Sequence, residues 1–162
     1  MKILGSGLIL LSALHVFLQF RLQKLLELRL RKELLYDLAI LKSGICVYRK
    51  TLPAICEIDL KNGLASQYLW KPLAKFMAEG YIPVYECWSI AVKNLPSSLG
   101  ERLNPLGLLL SEGREPLGRA IDEVREELLS DIHTEESKIS VSLRLAGATC
   151  LSVASLLILL LI

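Results

Sequence analysis

With 162 residues the chain has room for one domain, and two terminal membrane spans would still leave enough of it to bury a modest core. Hydrophobic residues make up 52% against 6% aromatic, so the apolar content is aliphatic and Leu-rich, which favours helices over strands. A net charge of +2 without a concentrated basic face argues against a nucleic-acid partner.

Residues 3–20 contain no Asp, Glu, Lys or Arg, and neither do residues 145–162. Each run lies at the short end of the roughly 17 to 25 residues that cross hydrocarbon. The first has Lys2 ahead of it, as a signal peptide would. No small-x-small cleavage site follows, and Phe20 runs directly into Arg21, Leu22 and a helical pattern, so the run reads as an uncleaved transmembrane helix. Arg21, Lys24, Arg29, Arg31 and Lys32 follow the first run and Lys138 and Arg144 precede the second. By the positive-inside rule the middle region, 21–144, faces the cytoplasm and both termini lie outside. Within the spans, His15 has no acidic partner and reads as a neutral imidazole bonded to a helix or to backbone rather than as a proton relay. Ala146, Cys150 and Ala154 recur every four residues and offer a small-residue face for another helix.

Beyond Arg21 the first helix is expected to continue through Leu34, Leu38, Leu41, Ile45 and Tyr48, whose 4-3-4-3 spacing is a coiled-coil seam. Thr51, Leu52 and Pro53 end it and open a short helix over 54–60, with Asn62-Gly63 as its stop. Residues 68–79 read as a helix with Leu69, Leu73, Phe76 and Met77 on one side and Gly80 as terminator. Pro83 starts the next, whose stripe is Val84, Trp88, Ala91, Val92 and Leu95, with Trp88 as core. Residues 97–105 read as loop, 106–110 as a short apolar stretch before a turn at Gly113, and 116–139 as a long charged helix returning to the membrane.

Because both long helices start from one membrane face, residues equally far along them pair in antiparallel register, with numbers totalling about 165. Leu117, Ile121, Val124, Leu128 and Ile132 are thereby placed beside Tyr48, Ile45, Leu41, Leu38 and Leu34. The same register sets Arg29 and Lys32 near Glu136 and Asp131.

No catalytic constellation emerges, since G-x-x-x-x-G-K-[ST], G-x-S-x-G and H-E-x-x-H are all missing. The carboxylates Glu112, Glu115, Asp122, Glu123, Glu126, Glu127, Asp131, Glu135 and Glu136 alternate with Arg114, Arg119, Arg125 and Lys138, as on a solvated helix face. Cys46, Cys56, Cys87 and Cys150 form no C-x-x-C pair and lie far in sequence from His15 and His133, so no metal site is expected, and reduced thiols fit a cytoplasmic middle region. The expected fold is therefore an all-α, membrane-anchored helical bundle with an N-terminal and a C-terminal transmembrane helix. No catalytic, cofactor-binding or metal-binding residue and no small-molecule substrate are expected.

Taken together, the Met1-Lys2-Ile3-Leu4-Gly5 opening, Tyr48-x-x-Thr51-Leu52-Pro53, the helix around Trp88, Gly113 with Leu117-Gly118 opening an acidic helix, and Arg144-Leu145-Ala146-Gly147 before an aliphatic tail carry a resemblance. Over essentially its whole length the chain resembles the stage III sporulation protein AB family of endospore-forming bacteria. It departs from the family pattern in having three residues between Gly113 and Leu117, and Arg125 or Glu126 where a glutamine is expected. The resemblance implies a domain similar to the cytoplasmic domains of type II secretion inner-membrane platform proteins. It also implies a place in the mother-cell membrane, in a secretion-like channel complex, as docking base for an ATPase, stage III sporulation protein AA. The alternatives are a generic two-span membrane scaffold, a self-assembling holin-like protein, and a membrane enzyme using Cys46, Cys56 or Cys87.

Overall fold

The computed structural model describes the backbone of residues 2–80 and 82–161; the side chains of residues 2–10, 140, 154, 157, 158, 160 and 161 are outside the described set. Every regular element is a helix among these residues: α1 Lys2–Lys42, α2 Leu52–Ala54, α3 Lys71–Glu79, α4 Val84–Val92, α5 Ser97–Leu103, α6 Leu106–Glu112 and α7 Arg114–Leu161. The chain is thus all-α. Three wider π-helical turns adjoin them, Ser43–Val47 after α1, Ile55–Asp59 after α2 and Ser66–Trp70 before α3. Two compact units result, one of Leu30–Asp131 and one of Met1–Arg29 with Ile132–Ile162. Among the described residues no helix is long and apolar enough to cross a membrane. The expected spans 3–20 and 145–162 both include positions outside the described set.

In the unit Leu30–Asp131 the seam forms much as its spacing dictates. Leu34, Leu38, Leu41, Leu117, Ile121 and Leu128 are buried in one apolar cluster, with Val124 partly buried against it. The register is antiparallel. Lys42 Nζ lies 2.5 Å from Asp122 Oδ2, one residue from the expected Glu123, and a Cβ on Gly118 would stand 3.4 Å from Cys46 Sγ, one residue from the expected Arg119. Arg125 Nε also donates to the Leu35 carbonyl at 3.4 Å, so Leu38 is bracketed by contacts to this part of α7. Tyr48 leaves the seam and is 70% exposed. The π turn at Ser43–Val47 holds an extra residue per turn, which rotates the face inward at Gly44 and outward beyond Ile45.

The shorter helices complete the core around two tryptophans, Trp70 and Trp88, whose ring centroids are 6.0 Å apart at 58°. Each indole finds an acceptor: Trp70 Nε1 donates to Asp37 Oδ2 at 2.6 Å, and Trp88 Nε1 to the Leu103 carbonyl at 2.8 Å. Gly107 of α6 permits this packing, since a Cβ there would fall 2.6 Å from Trp88 Cδ1. Glu33 of α1 caps the helical stretch leading into α3, its Oε2 accepting from the backbone N–H groups of Leu64 at 2.5 Å and Ala65 at 3.2 Å. Gly63, with φ +99°, turns the chain so that these N–H groups meet the carboxylate.

Several sequence expectations are corrected here. The segment 97–105 holds helix α5, not a loop; Leu99 and Leu103 are buried one turn apart, and Pro96 precedes the first turn. α4 ends at Val92, and in its stripe Cys87 is buried while Val84 is exposed. Trp70 joins Leu69 and Leu73 in the core because the π turn widens the buried face of its helix. Separately from these corrections, Asp131 pairs with Arg102 of α5 at 2.6 Å.

Candidate docking surfaces

The first surface is a groove of about 660 Å³ in the unit Leu30–Asp131. α1 ends in the turn Ser43–Val47, and the chain reverses at Arg49, whose φ of 56° is the left-handed conformation usually left to glycine. The Lys50 N–H then reaches back to the Gly44 carbonyl at 2.9 Å, closing the helix end one residue wider than an α-helical cap would. Thr51 sits at the N-cap position of α2, with Pro53 in its first turn, as the sequence suggests, although its side chain makes no cap bond. Ile45, Leu52, Pro53 and Leu117 line the groove on this side. Met77, Ile82, Val84 and Leu110 line the other, with Arg49, Lys50 and Arg114 supplying its charge. No carboxylate is among the lining residues. Lys50 is bonded to Asp59 at 2.7 Å, whereas Arg49 and Arg114 have no ion-pair partner among the described residues. Such a surface is chemically suited to binding.

The second surface belongs to the unit of residues 1–29 and 132–162. Here α1 and α7 meet along a narrow seam: Ala13, Phe17 and Phe20 are half-buried on one helix and Ala146, Gly147 and Cys150 on the other. A Cβ on Gly147 would lie 3.5 Å from Phe17 Cε2, so the small residues admit this chain's own α1. Outside that seam the apolar side chains are uncovered, with Leu11 68%, Val16 58%, Leu151 65% and Leu159 72% exposed. Polar groups in the same stretch turn inward to their own helix. Thr149 Oγ1 donates within reach of the Leu145 and Ala146 carbonyls, at 3.1 and 2.9 Å, and Ser152 Oγ donates to the Ala148 carbonyl at 2.8 Å. His15 Nε2 and Gln19 Nε2 are bonded at 3.0 Å, so the imidazole's partner is one turn away on its own helix.

Two of the three cysteines considered as nucleophiles are poorly placed for that work. Cys56 is 3% exposed, and burial, helped by the Glu57 charge, pushes its thiol up to about 12. Cys87 is fully buried; burial raises its thiol too, with Glu86 and Glu79 acting in the same direction against a lowering backbone hydrogen bond. Only thiolates attack, so both are held in the inert form. Cys46 is half-buried and its Sγ donates to the Arg114 carbonyl at 3.4 Å. All four cysteines are free. Among the described residues no group of three or more His, Cys, Asp or Glu is arranged to hold a metal.

Of the carboxylates of α7, Glu115 pairs within the helix with Arg119 at 3.5 Å, whereas Asp122 pairs with Lys42 of α1 and Glu127 with Arg102 of α5 at 3.8 Å. Arg49 and Arg114 were not singled out from the sequence, although the antiparallel register of α1 and α7 sets Arg49 opposite the start of α7; that they share one apolar groove with α3 and α4 has no local signal. No protein-family model, curated protein or solved structure matches the chain.

Proposed function

We propose that this chain is a non-enzymatic membrane component of a sporulation channel complex of the stage III AB kind, holding its helical unit in the cytoplasm as a docking base for the AA ATPase. The observation that supports it best is the uncovered apolar surface of residues 11–26 and 141–159, which water would solvate at a cost of roughly 25 cal/mol per Å². A lipid environment removes that cost, and the self-bonded Thr149 and Ser152 hydroxyls suit a solvent that offers no hydrogen bonds. The two apolar runs, 3–20 and 145–162, serve in this reading as the membrane helices, with both termini outside. Burial of Cys56 and Cys87 weighs against the cysteine-enzyme alternative.

The partner rests on the family resemblance, and it is tested separately. Membranes from cells expressing the chain are washed with alkaline carbonate, then dissolved in mild detergent, and the chain is captured. Retention through the carbonate wash with recovery of the AA ATPase supports the whole reading. Release by carbonate overturns membrane embedding, and retention without any ATPase or channel subunit overturns the docking role.

A further inference from the structure

Resting on that docking role, we infer that the groove between the end of α1, the start of α4 and the start of α7 receives an acidic amphipathic segment of the partner ATPase. Its apolar lining is exposed at Ile82 and Val84 and half-buried against the core at Leu52, Met77 and Leu110, and Leu117 lies at its buried side. The charge is one-sided: three cations and no carboxylate line it. Lys50 is neutralised by Asp59, which leaves Arg49 and Arg114 for a ligand's carboxylates. A guanidinium fork binds a carboxylate in two parallel hydrogen bonds, so two such groups beside an apolar trough select a helix or strand with apolar residues on one face and Asp or Glu at its margin.

Neutral apolar peptides would leave both guanidinium groups without partners, and basic ones would be repelled. Because both arginines are exposed, they govern association rate and salt dependence as well as affinity.

The experiment measures binding of purified AA ATPase to the full-length chain in detergent micelles by biolayer interferometry, at low and at physiological salt. Arg49→Glu/Arg114→Glu is compared with Lys75→Glu/Lys93→Glu, an equal charge change at exposed sites outside the groove. Thermal unfolding by circular dichroism confirms that each variant folds. The expected result is a loss of about tenfold or more for the arginine pair, an effect less than about threefold for the lysine pair, and weaker binding by the wild type as salt rises. Equal losses in both pairs, or none in the arginine pair, would overturn the groove while leaving the docking role intact. An ATPase that fails to bind even the wild-type chain overturns the docking role itself. If the arginine pair changes only self-association in sedimentation, the occupant is a second copy of this chain and the inference is wrong.

Discussion

Asp37 is 7% exposed on α1, one turn from Glu33, and accepts the Trp70 indole hydrogen. Burial, partly offset by that hydrogen bond and reinforced by the Glu33 charge, raises its pKa from 3.8 to about 6. Between these values the folded chain holds a proton that the unfolded chain has lost. Asp37 therefore favours folding most below about pH 4, its contribution declines as pH rises to about 6, and it stays low above that. Asp37→Asn keeps an acceptor for the indole and removes the titration. Urea midpoints measured from pH 4 to 7 should show the mutant gaining on the wild type as pH rises; parallel profiles would contradict this. The glycines allow a sharper contrast. Gly107→Ala drives a methyl to 2.6 Å from Trp88 Cδ1 in a closed core and should cost about 1–3 kcal/mol. Gly118→Ala meets Cys46 Sγ at an ordinary 3.4 Å inside α7, and should range from neutral to about 1 kcal/mol stabilising in the same unfolding assay.

Among the elements, α1 and α7 supply the longest apolar seam of the unit Leu30–Asp131. Leu38 and Leu128 are fully buried in it, and truncating either to Ala should cost about 2–5 kcal/mol. Lys42 and Asp122 flank the seam with half-exposed side chains, so Lys42→Ala should cost less than about 1 kcal/mol in the same urea titrations. A larger loss from Lys42→Ala than from Leu38→Ala would reverse this ranking of packing over charge. This seam was legible in the sequence because its information is local: two stretches of heptad-like spacing and a register set by counting. The helical state of 97–103 was not, because Gly100 and two serines depress local propensity. What stabilises α5 is burial of Leu99 and Leu103, together with the bond from Trp88 to the Leu103 carbonyl. The position of Tyr48 was misread for a related reason, since a π turn changes the helical period within a single turn.

For the molecule as a whole, orientation in the membrane follows in the proposed reading from cations near the ends of the apolar runs. Arg21, Lys24, Arg29, Arg31 and Lys32 all follow the first run within a short stretch, where each contributes about 1 kcal/mol of attraction to an anionic leaflet. Replacing all five with Gln should yield a mixed orientation, read by labelling cysteines introduced into the middle region from either side of sealed vesicles. Uniformly cytoplasmic labelling of the variant would show that another signal sets topology. By itself the sequence determined the helical class, the two apolar runs, the antiparallel register of the long helices, and the stops at Thr51-Pro53 and Gly80. Each is written in composition, period or the backbone limits of one or two residues. Tertiary structure alone decided that α5 forms, that Asp131 takes Arg102, that Glu33 caps the approach to α3, and that Met77, Ile82 and Val84 join Arg49 and Arg114 in one groove. These depend on residues tens of positions apart meeting in space, and no local pattern encodes which partner burial will bring.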